Sequence, residues 1–214
     1  MRKLFLSLGV IIFITGCSTA YYSGMEKLGI HKRDILVDRI GEAADSQEQA
    51  KEQFKDALEQ FGSVVNFDGG DLKLTYDKLS AEYESSKASA KNVSKRIDSV
   101  ESVSEDLFDE WEQELESYQS QKLRNLSEYQ LKQTRRQYKD LIASMRQAEK
   151  KMPPVLEVFE DQVLFLKHNL NARAIASLKS EYQSISADVA QLVKEMEISI
   201  NQANKFIKSL EQVT

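Results

Sequence analysis

Cross-linking and turn-forming residues are scarce in this sequence. Its 214 residues include one cysteine, two prolines and eight glycines. One thiol cannot form a disulfide within the chain, and sheet-rich folds need turn residues about every 8–12 positions. Glu, Lys, Gln, Ser, Ala and Leu dominate instead, and 29% of the residues are charged. This composition is typical of long helices and coiled coils.

The N-terminal apolar stretch is too short to cross a membrane. It runs from Leu4 to Ile14, which is 11 residues, whereas a spanning helix needs about 20. Arg2 and Lys3 precede this stretch and small residues follow it. Basic residues, a short apolar run and small residues are the three regions of a secretory signal. We therefore interpret residues 1–16 as a signal peptide that is removed on export.

The end of this signal carries a more specific pattern. Ile14-Thr15-Gly16-Cys17 resembles the lipobox, in which a branched apolar residue and two small residues precede a cysteine. The cysteine thiol forms a thioether to diacylglycerol, and small neighbours expose the bond between Gly16 and Cys17 to the signal peptidase. Two or three acyl chains, palmitate among them, would make the anchor effectively permanent. The alternative is an ordinary signal peptide with an incidental cysteine.

Two further features bear on location and partners. Ser18 follows the lipidation site, and by resemblance to the usual sorting rule it directs the protein to the outer membrane, facing the periplasm. Without residues 1–16 the chain has 27 basic and 34 acidic residues, a net charge of −7. That balance argues against binding nucleic acid or anionic lipid through bulk charge.

After a predicted tether at residues 17–29, apolar residues recur in heptads that place them on one helix face. The first seam is Val37, Ile40, Ala44, Gln47, Lys51, Phe54, Leu58, Phe61 and Val65. The second is Leu72, Tyr76, Leu79, Tyr83, Ser86, Ala90, Val93, Ile97 and Val100. Gly69 and Gly70 separate them, and Asp71 can cap the next helix. The pattern predicts an antiparallel hairpin.

The second half of the chain is less regular. Ser102-Val103-Ser104-Glu105 fits a capping box, so we favour a turn near Ser102 over a continuous helix. Trp111, Leu115 and Tyr118 continue the heptad phase, which then stutters. Met152-Pro153-Pro154 is predicted to end the next helix because proline lacks an N–H group, and residues 168–171 look like a slip in register.

The last seam is the most regular and completes the predicted fold. It comprises Ile175, Leu178, Tyr182, Ile185, Val189, Leu192, Met196, Ser199, Ala203, Phe206, Leu210 and Val213. Four such elements joined by short turns predict an all-α fold, an elongated antiparallel coiled coil or up-down four-helix bundle. Residues 30–214 would form this single domain.

Charged residues are segregated along the sequence. Residues 101–116 hold eight acids and no base, whereas residues 122–139 hold six bases and one acid. One interpretation is a solvated face whose acids lie at a helix N-terminus, where the macrodipole favours them. The other is a charged docking surface for another envelope component.

Residue patterns that support catalysis are missing from the sequence. His31 and His168 are the only histidines, and neither belongs to a di-iron or zinc motif. No nucleophile elbow and no phosphate-binding loop occurs. We expect no enzymatic activity, no catalytic or metal-binding residues, no cofactor and no small-molecule substrate.

The function that remains is a non-catalytic binding or scaffolding module, held at the membrane by its lipid and acting through its helical surface. The partner would be another envelope protein or a second copy of the chain. The alternative is a membrane-active, pore-former-like protein, because Val155–Leu166 could be a hidden hydrophobic tip. Its acids argue against insertion, and residues 155, 159, 162 or 163, and 166 suit burial against other helices.

Two segments suggest a family. The lipobox is followed by Tyr21-Tyr22-Ser23-Gly24-Met25-Glu26-Lys27-Leu28-Gly29-Ile30-His31-Lys32-Arg33, and Asn66-Phe67-Asp68-Gly69-Gly70 lies further on. Together they resemble a family of uncharacterised Gram-negative lipoproteins, domain of unknown function 2959. The resemblance covers nearly all of the mature chain. It implies no reaction, because that family has no established activity.

Overall fold

The computed structural model describes residues 31–211, which form four long α-helices and no β-strand. The helices are α1, Lys32–Val65; α2, Leu72–Leu115; α3, Gln121–His168; and α4, Ala172–Glu211. The predicted all-α class is confirmed. The predicted signal peptide (residues 1–16), its cleavage site at Gly16 and Cys17, and the tether (residues 17–29) lie outside the described residues.

The helices form a closed ring. Each packs against its neighbours in the chain, and α4 also packs against α1. Contacts between α1 and α2 show that the chain reverses direction: Arg96 pairs with Glu42, and Gln53 binds Glu82. This is the predicted up-down-up-down bundle. Its longest helix, α3, has 48 residues and is therefore about 72 Å long.

The predicted heptad seams become the core of the bundle. On α1 every seam residue is buried except Val37 and Leu58, which are half-buried. On α4 every described seam residue is buried except Tyr182, also half-buried. Three helices meet at Phe61, whose ring centroid lies 6.4 Å from that of Phe159 and 5.9 Å from that of Tyr182. One large apolar cluster thus contains residues of all four helices, and a smaller one around Phe108, Leu115 and Leu131 lies between α2 and α3.

The turn predicted near Ser102 is wrong, because α2 runs through this position without a break. Ser104 Oγ donates to the backbone carbonyl of Glu101 at 2.8 Å. Its hydroxyl is therefore satisfied inside the helix and does not cap a new one. Val100 and Val103 are both buried, so the apolar face stays on the core across the segment that resembled a capping box.

The helix end predicted at Met152-Pro153-Pro154 is also wrong, because α3 continues through both prolines. Proline removes intrahelical hydrogen bonds, but both prolines are exposed, so water can reach the carbonyls that they leave unpaired. On the opposite side Met152, Val155 and Phe159 are buried in heptad spacing. Packing of that face offsets the lost hydrogen bonds.

The remaining turns lie where the sequence showed only irregularities. Residues 116–120 join α2 to α3, and the Ser120 hydroxyl accepts the backbone N–H of Leu123 at 3.4 Å. Residues 169–171 join α3 to α4, and the Asn171 side chain accepts two N–H groups of the first turn of α4 at 3.1 Å. The loss of the heptad phase after Tyr118 and the apparent register slip at residues 168–171 therefore mark helix boundaries.

The turn between α1 and α2 was predicted correctly. Gly69 and Gly70 have φ values of +145° and +104°, which other residues rarely adopt. The Asp71 carboxylate accepts the backbone N–H of Leu74 at 3.1 Å, which satisfies one of the free donors at the start of α2.

A polar pair interrupts the apolar core near the middle of the bundle. Gln47 and Ser199 have no exposed surface, and Ser199 Oγ donates to Gln47 Oε1 at 2.8 Å. Gln47 Nε2 has no hydrogen-bond partner among the described residues. An unsatisfied buried donor costs about 1–3 kcal/mol. This polar position therefore lowers stability while restricting which helix registers can pack.

Substitution of this pair should show that cost. We expect Ser199→Ala to destabilise the protein by about 1–3 kcal/mol, because it leaves the Gln47 carbonyl oxygen without a partner as well. Gln47→Leu should be neutral or stabilising, since it removes the unpaired donor and the Ser199 hydroxyl can bond a carbonyl of its own helix. Urea unfolding of both single variants and the double variant measures these effects. Strong destabilisation by Gln47→Leu would contradict this assignment.

Candidate docking surfaces at the two ends of the bundle

Exposed large apolar side chains are concentrated at the two ends of the bundle. Among the described residues, Ile198 alone lies near the middle. One group surrounds the α2–α3 turn and comprises Tyr118, Leu123, Leu126 and Tyr129. The other lies near the α1–α2 and α3–α4 turns and comprises Leu74, Leu164, Phe165 and Leu170. Leu126 and Phe165 both lie on α3 and, at about 1.5 Å per residue, are about 58 Å apart along its axis.

The first group lies on a helical hairpin that projects past the other two helices; we call residues 111–132 the hairpin end. Lys32 in the first turn of α1 pairs with Glu110 at 3.1 Å. Ser209 near the end of α4 donates to Gln137 of α3 at 2.9 Å. These contacts place the start of α1 and the described end of α4 at one level. The start of α3 lies about 20 Å beyond that level.

A cleft opens where the hairpin end leaves the body of the bundle, and charged residues such as Arg33, Glu110 and Glu114 line it together with apolar ones. Its volume is about 410 Å³, and its lining includes His31, Leu107, Trp111, Tyr118, Thr134 and Leu210. Trp111 is half-buried, and its indole Nε1 donates to Ser127 Oγ at 2.8 Å. This is the only tryptophan of the sequence, so its fluorescence reports on this cleft.

The predicted placement of the acids at a helix N-terminus is wrong. Residues 101–116 form the C-terminal part of α2 and residues 122–139 the N-terminal part of α3. Both charge runs thus oppose the helix macrodipoles. The antiparallel hairpin compensates by placing the acids beside the bases. Arg146 bonds Asp98 at 2.7 Å and also bonds Glu101, and Arg135 bonds Glu112.

Ion pairs in the α2–α3 hairpin change the acidity of two of its carboxyl groups. The hydrogen bond from Arg135 lowers the pKa of Glu112 below its usual value, and the hydrogen bond from Lys132 does the same for the pKa of Glu128. Both ion pairs are substantially exposed to solvent, and such pairs contribute little to stability. Arg135 and Glu112 join α3 to α2, so their pair positions the two helices more than it strengthens the fold, whereas Lys132 and Glu128 both lie on α3.

Arg135→Gln should raise the pKa of Glu112 towards the ordinary value of about 4.3, because the group then loses its hydrogen-bonded cation. In the unsubstituted chain the Arg135–Glu112 pair makes a small contribution to the free energy of unfolding. That contribution is complete at pH values above the ordinary pKa of glutamate. It disappears as the pH falls through the lowered pKa that Glu112 has in the folded state. Carboxyl NMR titration measures the shift. As a matched control, Lys132→Gln should raise the pKa of Glu128 and leave that of Glu112 unchanged; equal effects on both would refute the pairing.

The opposite end of the bundle, which we call the far end, offers a second apolar surface. A cavity of about 430 Å³ lies beside the α1–α2 turn, and its lining includes Val65, Phe67, Asp68, Leu72, Ile175 and Lys179. Leu164 and Phe165 of α3 are 51% and 41% exposed. Large apolar side chains with this exposure, at the same end of the bundle as a cavity lined by an acid and a base, are typical of protein-binding surfaces.

The segment that suggested a hidden membrane tip is mostly core. Val155, Phe159, Gln162, Val163 and Leu166 are buried, as the sequence predicted. Among the large apolar side chains of Val155–Leu166, only Leu164 and Phe165 are exposed. Within residues 31–211 no helix is both long enough and apolar enough to cross a membrane.

Neither histidine belongs to a group of side chains that could hold a metal ion. His31 caps α1 and exchanges contacts with Asp34, whose carboxylate accepts the His31 backbone N–H at 3.4 Å. His168 is exposed at the last turn of α3. The described part of the chain contains no group of three or more His, Cys, Asp or Glu side chains arranged to hold a metal ion.

The sequence did not single out the residues that carry the two surfaces. Tyr118 was assigned to the heptad seam, but it lies in the α2–α3 turn and is 41% exposed. Leu123, Leu126 and Tyr129 fell in the stretch where the heptad phase is lost. Their spacing of three residues, offset from the buried Ser127 and Leu131, was the signal that could have identified them as a separate surface.

Comparison with known proteins agrees with the resemblance suggested by the tether and glycine-turn segments. The profile of a family described as "Protein of unknown function (DUF2959)" matches residues 21–210. No curated protein and no solved structure matches the chain.

Proposed function

Because the chain belongs to this family of unknown function, DUF2959, we propose a role that is based on its own sequence and surfaces. The protein acts as an envelope lipoprotein, acylated at Cys17, whose bundle is a non-catalytic binding and scaffolding module. Its hairpin end lies towards the anchor, and its far end binds another envelope protein. Ser18 directs it to the outer membrane, facing the periplasm.

One observation carries the scaffolding role: large exposed apolar side chains lie at the two ends of the bundle and are almost missing from its sides. The sides carry ion pairs such as Lys55 with Glu52 and Arg146 with Asp98. Apolar surface at both ends of a rod suits a spacer that joins two components. An enzyme would instead need converging polar groups in a pocket.

The far end is the better candidate for a protein partner. Phe165 and Leu164 can anchor in a partner's pocket, since aromatic and aliphatic side chains at the centre of an interface contribute most to affinity. Lys179 and Asp68 line the cavity at the same end of the bundle and can contribute polar contacts to a partner. Such a surface fits an amphipathic helix with apolar residues at three- and four-residue spacing.

The membrane anchor is tested by mass. The precursor expressed in a Gram-negative host should lose residues 1–16 and gain acyl chains at Cys17, because the lipobox supplies both the cleavage site and the thiol. Intact-mass measurement of the membrane-extracted protein detects both changes. The Cys17→Ser variant should remain uncleaved after Gly16. A variant that matures normally without lipid would refute the lipoprotein assignment.

The partner-binding end is tested by photo-crosslinking in intact cells. A photoreactive amino acid at Phe165 or Leu164 should yield a discrete crosslinked protein, because both side chains are exposed at the far end. The matched control is Ile198, which is 42% exposed but lies alone on the side of the bundle, and it should yield none. Crosslinks only to a second copy would replace the partner by self-association, and identical products from all three positions would refute a specific site.

A further inference from the structure

We infer that the hairpin end is a second membrane contact, in which the apolar side of the first turns of α3 rests in the lipid headgroup region. This inference rests on the proposed function, because acylation at Cys17 is what holds the bundle at a membrane. It adds a defined orientation: the hairpin end faces the lipid surface and the far end points away from it.

Chain connectivity places the anchor and the hairpin end together. His31 lines the cleft at the base of the hairpin end, and Cys17 to Ile30 are the 14 residues that connect it to the anchor. Fully extended, these residues reach at most about 50 Å. The projecting start of α3 lies only about 20 Å past the level of His31, so it is within easy reach of the surface that holds the lipid.

The side chains at the hairpin end suit the interface between water and lipid. Leu123, Leu126 and Tyr129 are 52%, 53% and 61% exposed, and their three-residue spacing keeps them on one side of α3. Tyrosine is enriched at membrane interfaces because it combines an apolar ring with a polar hydroxyl. Lys122 and Arg124 are exposed beside them and can bind lipid phosphates.

The same arrangement explains why the contact is peripheral. Amphipathic helices of this kind enter only about 5–10 Å into the headgroup region. The exposed acids Glu114 and Glu116 lie at the same end and oppose anionic lipid. Four partly exposed apolar side chains bind weakly by themselves, but the acyl anchor keeps them close to the surface, where their effective concentration is high.

A depth measurement with a single tryptophan tests the orientation. The acylated, full-length mature chain carrying Trp111→Phe and Tyr129→Trp is reconstituted in phosphatidylcholine vesicles whose acyl chains are brominated near the headgroup. We expect it to lose about half of its fluorescence relative to unbrominated vesicles, because a shallow contact brings the indole near the bromine. The matched control carries Trp111→Phe and Phe165→Trp, with the probe about 54 Å from position 129 along α3, and should keep its fluorescence.

Two further arms make the result decisive. Adding Leu126→Asp to the Tyr129→Trp chain should abolish the quenching, with helical circular dichroism unchanged because Leu126 is exposed. Equal quenching at both ends, or quenching at the far end alone, overturns the inference. A dimer in sedimentation, with the tryptophan at position 129 protected from quenching in detergent, also overturns the inference, because a second copy of the chain then covers this surface.

The unacylated chain separates this inference from the proposed function. Residues 18–214 with Tyr129→Trp and Trp111→Phe are titrated with brominated vesicles at high lipid concentration, where even weak binding is measurable. Quenching that Leu126→Asp removes supports the lipid contact whatever the intact-mass measurement shows at Cys17. Its absence in both the acylated and the unacylated chain refutes the lipid contact, even if acylation is confirmed.

Discussion

Burial of one apolar stripe along each of four helices is the interaction on which the rest of the structure depends. Its effect is clearest on α3, where exposed Pro153 and Pro154 lie opposite the buried Met152, Val155 and Phe159. Each fully buried side chain of this size contributes about 1.5–3 kcal/mol. A proline in a helix costs about 3 kcal/mol. Burial of this stripe outweighs the cost of the two prolines, because buried residues both precede and follow them in the sequence.

The same constraint explains where the polar and charged residues lie. With the core occupied by the seams, the sides of the bundle are left for charges, and those charges pair between neighbouring helices. The α2–α3 hairpin shows this best: its acids and bases oppose the macrodipoles of their own helices, and the antiparallel packing places them side by side. Arg135 of the basic run bonds Glu112 of the acidic run, and Arg146 continues the pairing beyond the runs by bonding carboxylates of both α2 and α3.

The ends of the bundle are the parts that the seams do not bury. There the helices stop at different levels, and apolar side chains such as Leu126 and Phe165 remain exposed. The two surfaces differ in chemistry. The hairpin end combines leucine and tyrosine with flanking bases near the start of α1, whereas the far end combines phenylalanine and leucine with a cavity. A rod with two different ends is the geometry on which the proposed spacer role depends.

The sequence by itself determined the all-α class, three heptad seams, the glycine turn capped by Asp71, and the family. These depend on local periodicity and turn chemistry, which short stretches of sequence carry. Only the tertiary structure decided where the other helices end. Ser102 and Pro153 carry local signals for a boundary, yet their neighbours are buried against other helices, and that burial outweighs the local preference. The surfaces around Leu126 and Phe165 were also undetermined, because exposure depends on the level at which neighbouring helices stop, and no local pattern encodes that level.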